Sequence, residues 1–151
     1  MRLEERVKIL ESAYVGIQAD AVRCLGNEGV LEKVTQQKKN EQLALGKLQA
    51  ERFGIQNAEE VFLKLSEVFG CASWEISRDG DQFLAEAKAC KLCAVAKKIG
   101  NACPCYIYCL NPMEGMVKGI SPNSTFNVKE LLWEGQKCCI EVKENLGSVN
   151  L

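Results

Sequence analysis

Cysteine is the residue whose type and spacing promise chemistry in this sequence. Nine are present in 151 residues and histidine is absent. Cys24 stands alone in the first seventy positions, and the other eight fall between Cys71 and Cys139. The densest run is Cys103, Cys105 and Cys109, preceded by Cys90 and Cys93. Cys90 and Cys93 are three apart and Cys105 and Cys109 four apart, so on helices each pair shares a face. The loop Gly100 to Ala102 is short enough to bring the two faces together. Four thiolates from Cys90, Cys93, Cys105 and Cys109, or with Cys103 in place of one, match what a tetrahedral zinc or an iron–sulfur cluster requires.

Two other readings of the same thiols stay open. Cysteine is among the most buried residue types and packs as a small hydrophobe. A thiol at a helix start faces unpaired amides and the positive end of the helix dipole, which favour thiolate and hence reactivity. With Pro104 in a first helical turn, Cys103 falls at the N-cap and Cys105 within that turn. The CxxC of Cys90 and Cys93 has redox-pair spacing, although no βαβ pattern surrounds it.

The elements that must position these thiols follow from periodicity. Leu3, Val7, Leu10, Tyr14, Ile17, Ala21 and Cys24 recur at three and four positions and predict a first helix whose apolar stripe faces the core, closed by Gly26 as a left-handed cap. A second helix runs roughly from Glu28 to Phe53, with Val30, Val34, Leu43, Leu45 and Leu48 apolar, Gly54 as its stop, and a polar stretch from Thr35 to Asn40 that reads as a break. Asn57 caps a third helix through Phe69, with Glu59 and Glu60 in its first turn and Val61, Leu65 and Val68 on one face.

After Gly70 the period shortens to two. Trp74 and Ile76 lead into a turn at Arg78 to Asp81, and Phe83, Ala85, Ala87 and Ala89 alternate with polar positions. A second hairpin carries Phe126, Val128 and Leu132 on one strand, a turn at Glu134 to Lys137, and Cys138, Ile140 and Val142 on the return. Between the hairpins lie a helix from Lys91 to Ile99 and another starting near Pro104. The expectation is a single α+β domain: a helical part over 1–70, a hairpin-helix-helix-hairpin part over 71–144, and a tail over 145–151. Its N-terminal helices pack on a four-stranded antiparallel sheet made of two hairpins.

Cys138 and Cys139 are adjacent on a strand and point to opposite faces, and Cys138 shares its face with Ile140 and Val142. Tyr106, Tyr108, Met116 and Trp133 are candidates to line a pocket between helix and sheet; plain core is the other reading. Glu130 falls on the apolar strand face, where a carboxylate is paired, protonated or functional, unless a bulge turns it outward.

The segment from Cys103 to Val142, CPCYIYCLNPMEGMVKG followed by FNVKELLWEGQKCCIEV, resembles the C-terminal part of the superfamily of vinyl-4-reductase-type ligand-binding domains and L-2-amino-thiazoline-4-carboxylic acid hydrolases. The shared features are a cysteine opening a helix, a glycine near its end, and a glycine, three residues and a cysteine in the closing hairpin: Cys103, Gly119, Gly135 and Cys139. The resemblance implies a small-molecule-binding, sensory or regulatory domain that forms a homodimer. Zinc-binding members of the vinyl-4-reductase type hold metal through four positions. Cys103 and Cys139 match the outer two, whereas Val128 and Leu131 stand where a glutamate and a cysteine belong. The hydrolase-like branch also lacks these ligands, and the chain is similar to it in that respect. The alternative function is a thiol- or metal-dependent enzyme.

Other classes are excluded by composition. Nineteen basic against twenty acidic residues give a net charge of -1, so no global field draws nucleic acid or an anionic membrane. The Gln36 to Lys39 cluster reads as a solvated helix face. No stretch approaches the ~18 apolar residues of a membrane span, and MRLEERVKIL lacks the pattern of a secretory signal, so the expected location is the cytoplasm. No glycine-rich phosphate loop is present, and no Ser-His-Asp set can form without histidine.

Overall fold

A computed structural model describes residues 1–145; the expected tail beyond Asn145 lies outside them. The element order is α1 (Leu3–Asn27), α2 (Leu31–Arg52), α3 (Ala58–Phe69), β1 (Glu75–Asp79), β2 (Gln82–Ala87), α4 (Lys91–Ile99), a π-helical turn (Tyr106–Leu110) continuing into α5 (Asn111–Ile120), β3 (Thr125–Glu130) and β4 (Cys138–Lys143). The strands form one antiparallel sheet in the order β1-β2-β4-β3, so the two hairpins meet along β2 and β4. This is the α+β architecture that the change of period implied.

The inner face of the sheet carries Phe83, Ala85 and Ala87 from β2 and Cys138, Ile140 and Val142 from β4, all buried. Phe62 of α3 sits at the centre, edge-on to Trp74 and Phe83 and stacked on Phe126 of β3. Asn57 caps α3 by accepting from the Glu60 amide at 3.0 Å, and Gly70 ends it at φ +63°.

The seam between α2 and α5 is made of backbone rather than side chains. A methyl group on Gly46 would stand 1.8 Å from the Gly115 carbonyl oxygen, and one on Gly115 would stand 2.3 Å from the Gln42 carbonyl oxygen. Gly119 likewise faces the Lys47 amide, 2.5 Å from where a methyl would be. α2 therefore runs unbroken through its polar middle: Thr35 to Asn40 lie largely in solvent, and Lys38 and Lys39 pair with Glu41 and Glu114.

Three expectations about the helices change. The stripe Leu3, Val7, Leu10, Tyr14 and Ile17 is exposed; α1 instead packs through Val15 and Ala19 on Leu92 and Ala96 of α4, because small side chains allow the closer approach. Leu43, Leu45 and Leu48 of α2 and Val68 of α3 are exposed for the same kind of reason, the glycine seam and Phe62 having taken the inner faces. Gly26 remains helical, and the left-handed residue after α1 is Gly29 at φ +71°.

The second hairpin also differs. β3 ends at Glu130 after a bulge between Val128 and Glu130, so Leu131 to Lys137 form a long connection instead of a strand end and a tight turn. Among the described residues no helix is long and apolar enough to cross a membrane.

Candidate functional site

Pro112 shapes the site. It has no amide to donate, and in an α-helix its ring would crowd the carbonyl four residues back, at Tyr108. The chain responds with the π turn, in which the Asn111 amide bonds to the Tyr106 carbonyl five residues earlier. The Ile107 carbonyl thereby loses the partner it would have in an α-helix. Gln42 of α2 supplies one, its Nε2 donating to Ile107 at 3.0 Å. The remaining amide oxygen, Gln42 Oε1, is buried with no hydrogen-bond partner.

Gln42 is also one of the residues lining a cavity of about 390 Å³ bounded by α1, α2, α3, the 71–74 segment, the start of α4, the π turn and α5. The walls are mainly apolar: Leu45, Phe69, Trp74, Tyr108, Met113 and Met116 contribute, and Leu131 and Cys138 close the sheet side. Tyr14 stacks on Phe69 with ring centroids 5.2 Å apart and so fixes one wall.

Six cysteines line this cavity, Cys71, Cys90, Cys93, Cys105, Cys109 and Cys138, and all nine in the chain are free thiols. They are not equivalent. Cys90 caps α4, its sulfur accepting from the Cys93 amide at 3.5 Å. The neighbouring Cys71 thiol first, then the amides of Cys93 and Leu92, lowers Cys90 to about 6 against the cost of burial. Cys71, holding the shared proton, is driven up. A second pair behaves alike: the Cys105 thiol, then its amide, lowers Cys103 to about 7, and Cys105 rises. Burial pushes Cys109 up, and Cys138 up to about 11.

Among the described residues, no group of three or more cysteine, aspartate or glutamate side chains is arranged to hold a metal ion. The set expected from Cys90, Cys93, Cys103, Cys105 and Cys109 is divided between Cys90 beside Cys71, Cys103 beside Cys105, and the single thiols Cys93 and Cys109. Cys139, the other cysteine of the resemblance, is on the outer face of β4 among Glu86, Lys137, Glu130 and Lys129, away from the cavity thiols.

Of the expected pocket residues, Tyr108 and Met116 line the cavity. Tyr106 is 44% exposed, on the outside of the π turn. Trp133 packs beneath Lys97, whose Nζ is 5.6 Å from the ring centroid. Glu130 accepts from the Gln136 and Lys137 amides at 2.8 and 3.1 Å, so the bulge turns it to organise the 131–137 connection, and these bonds hold its carboxyl below the usual range. Sequence reading missed Tyr14, Gln42, Phe69, Trp74 and Cys71, which reach the cavity only through long-range packing. The one local signal was Pro112, seven residues after Cys105.

Comparison with protein-family models, with curated proteins and with solved structures gives no match.

Proposed function

We propose that the protein is a small-molecule-binding domain, of the sensory or regulatory kind its resemblance to vinyl-4-reductase-type and aminothiazoline-carboxylate-hydrolase-like proteins implies. Its ligand is an apolar, aromatic-sized molecule with one hydrogen-bond donor. The observation that carries this reading is the mainly apolar cavity of about 390 Å³, with Gln42, whose buried Oε1 has no partner, among its lining residues. A buried polar atom left unpaired costs about 1–3 kcal/mol, and a ligand donor reached by a small turn of the Gln42 amide would recover that cost. Cavities of this size and lining are what small-molecule sites share.

The test uses two probes that differ in one group, 2-naphthol and naphthalene, with methionine methyl groups labelled for NMR. Met113 and Met116 lie in the cavity wall, and Met1 is the remaining methionine. Saturable shifts of Met113 and Met116, with 2-naphthol binding about tenfold tighter, are expected. Unmoved methyl signals with both probes refute the reading.

A further inference from the structure

Cys71 and Cys90 occupy a boundary. An isolated antiparallel bridge joins Ala72 to Cys90, and the Lys91 amide donates to the Cys71 carbonyl at 2.8 Å, so the residues after α3 are tied to the start of α4. Cys71, Cys90 and Cys93 belong both to the wall of the inner cavity and to that of an open outer cleft bordered by Glu75, Glu86, Lys88, Lys91 and Lys97. Cys71 and Cys90 are half-buried, whereas Cys93 is 4% exposed. Cys71 and Cys90 thus stand on two joined segments at the cleft, and Cys90 caps a nine-residue helix.

We propose that Cys90 and Cys71 form a thiol–disulfide exchange site, with Cys90 as the attacking sulfur, Cys71 as the resolving one, and a low-molecular-weight disulfide bearing carboxylates as the substrate. Lys91 and Lys97 in the cleft give such carboxylates a counter-charge. The Cys90 thiolate attacks one sulfur of the substrate, a mixed disulfide forms on Cys90, and the first small thiolate leaves and takes up a proton from water. The Cys71 thiol gives its proton to water and attacks the Cys90 sulfur, which forms the Cys71–Cys90 bond and releases the second small thiolate, protonated in turn. Two electrons pass from the protein dithiol to the substrate, which leaves as two thiols. Cys93 is not the resolving partner: it is its amide that binds Cys90, and the residue is buried away from solvent.

The experiment treats the reduced full-length chain with oxidised glutathione and maps peptides by mass spectrometry without reduction. The expected product is a Cys71–Cys90 cross-link. Cys71→Ser is expected to accumulate glutathione on Cys90, and Cys90→Ser to lose both products while circular dichroism stays unchanged. Recovery of Cys71 and Cys90 as free thiols, or a Cys90–Cys93 cross-link, overturns the assignment.

Discussion

Gly46 and Gly115 meet backbone to backbone: the space that a methyl group on Gly46 would fill lies 1.8 Å from the Gly115 carbonyl oxygen. Neither atom belongs to a flexible side chain that can step aside. Gly46→Ala and Gly115→Ala are each expected to destabilise the fold by about 3 kcal/mol or more, a Tm loss of roughly 10 °C at this chain length. Gly16 is the contrast, because a methyl group added there would meet nothing within 4 Å. Gly16→Ala is expected to raise stability by about 0.5–1 kcal/mol through helix propensity, as thermal denaturation will show.

Gln42 has two roles that one substitution separates. Gln42→Leu removes the donor to Ile107 and leaves that carbonyl without a partner, so a stability loss of about 1–3 kcal/mol is expected by chemical denaturation. The same change removes the orphan acceptor. The preference for 2-naphthol over naphthalene is expected to fall to about one, with naphthalene affinity retained.

The thiols predict a pH profile. With its folded value lowered to about 6, Cys90 is mostly thiolate at neutral pH, while Cys138, raised to about 11, is protonated. Alkylation of Cys90 by iodoacetamide, followed by peptide mass spectrometry, is expected to rise through about pH 6 and level off roughly one to two pH units above it. Loss of proton means gain of reactivity, so Cys71→Ala, which deletes the neighbour that most lowers Cys90, is expected to move the rise to higher pH.

Arg78 ties the sheet edge to the helices. Its guanidinium bonds the carboxylates of Glu59 and Glu144 and lies 5.3 Å from the Phe83 ring centroid. Glu144 is 9% exposed and keeps only Ser121, at 3.3 Å, when Arg78 is removed. Arg78→Ala is expected to cost about 1–2 kcal/mol in urea denaturation, less than a fully buried pair because Arg78 remains a third exposed.

What was legible in the sequence follows from what is local. The strand period of β2 and β4 showed the inner face from Phe83 to Val142 because alternation survives any tertiary arrangement. Asn57 and Gly70 showed the ends of α3 because caps act within a few residues. The packing faces of α1 and α2 were hidden, since Ala19 and Gly46 pack by being small while counting large apolar residues pointed to Leu10 and Leu45. The thiols were legible as a cluster but not as pairs. The Cys93 amide does bind the Cys90 sulfur, yet the thiol that neighbours Cys90 is Cys71, nineteen positions earlier and brought in by one bridge.

The π turn amounts to one extra residue in the helical run from Cys105 to Ile120. Since each residue advances an α-helix by about 100°, a chain one residue shorter between Cys105 and Leu110 would change the phase of everything upstream relative to the Gly115 and Gly119 seam. Keeping the seam against α2 would carry Cys105 about a third of a turn away from Cys103 and the cavity; keeping the thiols would turn side-chain-bearing positions towards Gly46. The length of this segment, more than the identity of any residue in it, is therefore what lets one helix serve both as a packing partner and as a wall of the cavity.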